Sequence, residues 1–252
     1  MRYFFKEGAA LESGKVIDLD PEDLKHAHRV LRLRGGDTVV IADGQGTAFQ
    51  GIVEEMSPEK GSVRLIGTPL PSVESPRRIV LLQGLARGEK MDLIVRQAVE
   101  LGVAQIVPVI TGRSIPRFSR SREEGRLKRW RSIIRAAAKQ CRRAALPGIS
   151  PICNFEDALE LLGGQRALVP WEGEKERALD QFLKQQPPEG QEAVFIFIGP
   201  EGGFSAPEIS AMAAAGASTV HLGPRILRTE TAAAVTIALV QAAWGDLGVS
   251  GK

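Results

Sequence analysis

The chain has 252 residues, of which 43% are apolar and 25% charged, with a formal net charge of +3. A chain of this length buries roughly three quarters of its unfolded surface, so it folds without disulfide or metal. Two cysteines, Cys141 and Cys153, exclude a disulfide-stapled scaffold and a Cys₄ zinc site, and no apolar run reaches the ~20 residues of a bilayer span.

The opening residues 1–7 lack the apolar core and cleavage site of a secretory signal, so a cytoplasmic protein is expected. Residues 1–70 read as small and β-rich. Strands are predicted at 37–41, from Phe49 to Glu54 and from Ser62 to Ile66, around turns at Asp43-Gly44-Gln45-Gly46 and 57–61. One helix starts at Asp20-Pro21-Glu22-Asp23 and places Leu24, Ala27, His28 and Leu31 on one face. Short strands with a single helix suggest a small barrel.

Residues 68–76 hold three prolines and read as a linker. A second domain is expected over 77–248, where strands alternate with helices. The strands are predicted at 79–82, 105–110, 149–153, 167–169, 194–198 and 219–222. Helices are predicted at 90–101 (closed by Gly102), at 123–143 and at 229–244. Such alternation implies an α/β domain with a mostly parallel sheet covered on both faces.

Charge is unevenly spread. Residues 113–143 hold twelve Lys/Arg against two Asp/Glu, whereas 1–70 are net −2 and 144–252 net −6. The plain reading of a charge run is a solvated helix face. Arginine forks match phosphate oxygens, and polyanion binding gains from counterion release, so nucleic acid is the leading partner. Arg113, Arg129, Arg131, Arg135 and Arg142 are the candidate nucleic-acid contacts. His26, His28 and His221 have no second ligand at metal spacing and read as structural, and no metal is expected.

Two glycine-proline loops follow buried strands: Gly199-Pro200-Glu201-Gly202-Gly203-Phe204 and Gly223-Pro224-Arg225-Ile226-Leu227-Arg228. Ligands of open α/β sheets bind where loops leave the carboxyl ends of strands, and glycines there leave backbone amides free. Neither loop is GxGxxG or a Walker A sequence, which disfavours a dinucleotide or an ATP-phosphate cradle. The bland alternative is a pair of tight turns.

IGPEGGF followed about twenty-five residues later by LGPRILRTETA resembles the paired cofactor-binding signatures of SPOUT methyltransferases. Within that class the chain is most similar to the RsmE family, which methylates N3 of a uridine in 16S ribosomal RNA. The resemblance extends to MRYFF at the start, HRVLRLRGGD at 28–37, DGQG at 43–46, Lys90 with ELGV at 100–103, Arg113-Ser114 and the 138–143 segment. It implies a PUA-like barrel followed by an α/β domain tied in a deep trefoil knot, acting as a homodimer on the small ribosomal subunit. It also implies S-adenosylmethionine held by Val169, Ile198, Gly199, Pro200, Gly203, Leu222, Gly223, Ile226, Leu227 and Thr231. Residues 168–172 supply a third wall, where Trp171 departs from the short residues expected.

Transfer to uridine N3 requires a proton to leave and an anion to be stabilised. Arg228, Glu201 and Glu230 are the catalytic candidates. Glu201 has the alternative of accepting backbone amides, and Arg228 that of a surface cation. Two other functions compete: a ribose 2′-O-methyltransferase of the same class, and a non-catalytic RNA-binding ribosome factor.

Overall fold

The computed structural model describes residues 2–114, 120–190 and 192–248. Arg117, within the basic segment, lies outside the described residues. Packing divides the chain into two units: Met1–Glu74 with Arg135–Leu146, and Ser75–Ile134 with Pro147–Lys252. The segment 135–146 thus interrupts the span 77–248 that the sequence draws as continuous.

In the first unit, β1 (Arg2–Phe5), β2 (Val16–Asp18), β3 (Thr38–Ala42), β4 (Ala48–Met56) and β5 (Gly61–Ile66) form one sheet. Their order is β1-β3-β4-β5-β2. Alternate residues Val39 and Ile41, Val63 and Leu65, with Phe4, Phe49 and Val53, build its core. Strands β1 and β2, four and three residues long, are too short for alternation to reveal. The helix α1 (Pro21–Lys25) has Pro21 in its first turn, but Asp20 makes no side-chain cap and instead binds Lys6 Nζ at 2.5 Å. A π-helical turn, His26–Val30, continues it.

The second unit holds β6 (Ile79–Gly84), β7 (Gln105–Ile110), β8 (Gly148–Ile149), β9 (Cys153–Asn154), β10 (Ala167–Pro170), β11 (Val194–Ile198) and β12 (Ser218–Val220). The order is β12-β10-β11-β6-β7-β8, with β9 also on β7, and every pairing is parallel. Between these strands run α2 (Lys90–Glu100), α3 (Arg120–Cys141), α4 (Phe155–Glu160), α5 (Leu179–Gln185) and α6 (Ala206–Ala214), and α7 (Thr229–Trp244) closes the sequence of elements.

Val80, Leu82, Val107, Val109, Phe195 and Phe197 pack with Phe155 and Ala158 of α4 and Ile209 and Met212 of α6. Their neighbours Ile79, Leu81, Ile106, Val194 and Ile196 are equally buried. Both faces are covered, which is why these strands read as unbroken apolar runs. The strand predicted at 149–153 splits into β8 and β9 because Pro151, between them, cannot donate to a ladder. Helix α3 buries Leu127, Trp130, Ile134 and Ala138 along one stripe. It stops at Cys141 because Arg142 turns to φ 65, two residues before the predicted end.

Candidate active site

The sheet order places β10 between β11 and β12, the two strands that feed the glycine-proline loops. Three loops therefore leave the carboxyl ends of adjacent strands, and they enclose a two-lobed cavity. One lobe, about 370 Å³, is lined by residues after β10 (Trp171, Glu172, Glu174, Lys175) and after β12 (His221 to Leu227). The other, about 610 Å³, is lined by Lys90, by Ile198 to Phe204 and by Ile226 to Thr229. Pro170, Glu172, Ile226, Leu227 and Ala232 border both lobes.

The loop after β11 is clamped along its length. Thr229 Oγ1 donates to Gly199 O at 2.6 Å and accepts from Gln83 Nε2 at 3.1 Å, and Gln83 is fully buried. Arg113 Nη1 donates to Gly202 O at 2.7 Å. Glu201 Oε1 accepts from the Arg87 amide and from Lys90 Nζ, each at 3.0 Å. Burial raises the Glu201 carboxyl, but the Lys90 bond, backbone amides and the Lys90 charge outweigh it and hold the group below the usual carboxylate range. Pro200 lies against Gly84, where a Cβ would come within 2.6 Å of its Cδ. Gly203 has φ +64, a conformation that side-chain-bearing residues rarely adopt.

The loop after β12 is held far less. The Gly223 amide donates to His221 Nδ1 at 3.2 Å, so this histidine shapes the turn. Pro224, Arg225 and Arg228 are exposed, and Ile226 is 87% exposed. The Arg228 guanidinium has no hydrogen-bond or ion-pair partner among the described residues, although its main chain caps α7. In the wall after β10, Glu174 accepts from Thr219 Oγ1 at 2.6 Å and from the amides of Lys175, Glu176 and Arg177. The hydroxyl bond and these amides pull its carboxyl down to about 2.

Of the ten residues nominated for the cofactor, Ile198, Gly199, Pro200, Gly203, Leu222, Gly223, Ile226 and Leu227 line the cavity. Val169 and Thr231 are not among the lining residues. Strand alternation turns Val169 into the core, where it is fully buried, and Pro170 reaches the cavity in its place. Helical rotation brings Ala232 rather than Thr231 to the wall. Arg228 and Glu201 line the larger lobe, whereas Glu230 does not, and its Oε2 is buried without a hydrogen-bond partner among the described residues. Gln83 and Glu174 carried no spacing signal that would have joined them to the loops, His221 read as structural, and Lys90 entered only through the resemblance.

The five nominated RNA contacts divide as sharply. Arg113 is bound to Gly202, and Arg129 Nε donates to Asp92, which also takes Trp130 Nε1. In the first unit Arg135 bonds Glu7, Phe5 O and the buried Asp23, and lies 5.4 Å from the Phe5 ring centre. Lys139 shares Asp23. Arg131 and Arg142 are exposed and have no partner among the described residues.

Residues 73–241 match the RNA methyltransferase domain family, and 19–66 match the RNA methyltransferase PUA domain. Ribosomal RNA small subunit methyltransferase E of Mycobacterium bovis is 31% identical over 237 residues, 91% of this chain and 87% of that protein. This chain belongs to the ribosomal RNA small subunit methyltransferase E family. The Bacillus subtilis member is 27% identical, with 92% of each chain covered. The family's Neisseria gonorrhoeae member, solved bound to S-adenosylmethionine, superposes with a TM-score of 0.89 at 31% identity, covering 98% of this chain and 99% of that one. A Legionella pneumophila methyltransferase with the same bound cofactor gives 0.85 at 31% identity, covering 97% and 98%. Family membership accounts for the pairing of a PUA domain with an α/β domain that the resemblance implies.

Proposed function

We propose that this chain transfers a methyl group from S-adenosylmethionine to N3 of a uridine in the 16S ribosomal RNA of the small subunit. The two-lobed cavity at the carboxyl ends of β12, β10 and β11 carries this reading. Its lobes, about 370 and 610 Å³, are of the size that small-ligand sites take. Gly203 and Gly223 hold positive φ at its rim. A Cβ on Gly203 would stand 3.0 Å from Glu172 Oε1, so the glycine keeps the wall open. Ile198, Leu222, Ile226 and Leu227 offer an apolar surface to an adenosine moiety. When bound, the cofactor supplies a methyl group on a positively charged sulfur.

The side chains then divide the work. Gln83 and Thr229 fix the Gly199 carbonyl, and Lys90 and Glu201 fix the middle of the same loop. Glu201 is an occupied anion and anchors the loop instead of taking the proton. Arg228, at the cavity wall with no side-chain partner among the described residues, faces the acceptor and stabilises charge on the uracil carbonyls as N3 loses its proton. Arg131 and Arg142 meet phosphates. The same reading carries a cytoplasmic homodimer, supported by exposed Leu239 beside Ala242 and Ala243 on α7, and the trefoil threading implied by the resemblance.

Small-subunit RNA and assembled subunits, incubated with the protein and labelled S-adenosylmethionine and digested to nucleosides, test it. Label in 3-methyluridine is expected. Label in a ribose-methylated nucleoside would replace the product assignment, and no transfer to either RNA would overturn the reading.

A further inference from the structure

We propose that the Glu172 carboxylate recognises the positive charge at the cofactor's sulfur, and thereby sets the preference for S-adenosylmethionine over its demethylated product. The proposal rests on the S-adenosylmethionine reading above. Five residues border both lobes, and Glu172 alone among them is charged. In S-adenosylmethionine the adenosine and the amino-acid arm meet at the sulfur. With one arm in each lobe, a side chain common to both walls faces that junction.

Three carboxylates line the cavity, and two are occupied. Glu174 is filled by Thr219 and three amides, and Glu201 by Lys90 and the Arg87 amide. The Glu172 carboxylate has no partner among the described residues. Lys175 Nζ, its near neighbour, bonds the Glu172 main-chain oxygen at 2.8 Å instead. The wall otherwise carries cations, with Arg225 on one lobe and Arg228 on the other. A cationic sulfur between them needs a counter-charge, and Glu172 is the one the wall offers.

Cofactor and demethylated product differ by one methyl group and one positive charge, and a carboxylate at the junction adds a charge-based distinction to whatever the pocket gains from the methyl.

Calorimetric titrations of wild-type protein and Glu172→Gln test this with three ligands. These are S-adenosylmethionine, S-adenosylhomocysteine, and sinefungin, whose protonated amine replaces the methylsulfonium. The variant should bind S-adenosylmethionine and sinefungin about tenfold more weakly, and S-adenosylhomocysteine within twofold of wild type. Glu172→Asp, which keeps the charge, should retain most of the preference. Equal losses for all three ligands would overturn the proposal, because the carboxylate would then serve a group they share or merely shape the wall. Unchanged affinities would overturn it too. Wild-type protein that binds none of the three would instead remove the reading on which the proposal rests.

Discussion

The loops after β11 and β12 look alike in sequence, each a Gly-Pro turn after an apolar strand, yet they are held in opposite ways. Residues 199–204 are tied by Thr229, Arg113, Lys90 and the Arg87 amide. Among the described residues, 223–228 keep one side-chain-mediated bond, from the Gly223 amide to His221. A binding cavity needs a wall that stays in place and groups still free to meet the ligand, and the two loops divide those tasks. The basic segment repeats the contrast. Arg135 is committed to Asp23 and Glu7, while Arg131, four residues earlier, has no partner among the described residues.

Valine in place of either rim glycine should have the largest effect and should separate the loops by mechanism. Gly203→Val and Gly223→Val should each weaken S-adenosylmethionine binding by about 100-fold or more, through the strain of a β-branched residue at positive φ. Both should also lower stability, by about 1–3 kcal/mol of backbone strain, and Gly203→Val by more, since its Cβ meets Glu172 at 3.0 Å whereas a Cβ on Gly223 meets nothing within 4 Å. Calorimetry and thermal melts read the two effects separately. Equal melting losses would break the contrast.

Arg228→Lys tests the free loop. Lysine loses the forked contact, so kcat should fall by ~10²-fold with cofactor affinity nearly unchanged. Raising the pH should restore part of the rate, because more uridine is ionised before it binds. A normal kcat would take Arg228 out of catalysis.

The arginines come next. Neutralising Arg131 and Arg142 together should weaken RNA binding by about tenfold and flatten the log K against log salt slope by up to ~2, without changing the melting temperature. Arg135→Gln should do the reverse, leaving the slope alone and lowering stability by about 1–2 kcal/mol because Asp23 loses a partner. If the slope changes with Arg135 instead, the division of the basic segment fails.

The smallest effect expected is at Glu201. Its carboxyl is depressed in the folded chain, so its contribution is present above the ordinary carboxylate value and is lost as pH falls through the lower, folded one. Glu201→Gln should therefore cost about 1 kcal/mol near pH 7. The difference from wild type should vanish in acid, where both side chains are neutral. Melting curves against pH check the sign.

The sequence already carried the glycine loops, the strand–helix alternation and the long terminal helix, because each is written in a contiguous pattern. What it could not carry was adjacency across the sheet. Residues 171–175 and 221–227 share a wall because β10 pairs with β12 although more than forty residues separate them, and no local period records that pairing. Likewise the partners of Arg135 lie 112 and 128 residues away, so a charge run could show how many cations there are but not which remain free. Val169 and Thr231 each lie one residue from a cavity-lining neighbour, Pro170 and Ala232, the distance at which strand and helix geometry turn a side chain from cavity to core or solvent.

Mapping of methylated nucleotides in small-subunit RNA by mass spectrometry tests the central claim most directly. RNA from cells lacking this protein would be compared with RNA from cells complemented by wild type or by Gly203→Val. One uridine should lose a methyl group on its base without the protein, regain it with wild type, and stay unmodified with the variant. An unchanged methylation pattern without the protein, or full restoration by Gly203→Val, would contradict the account.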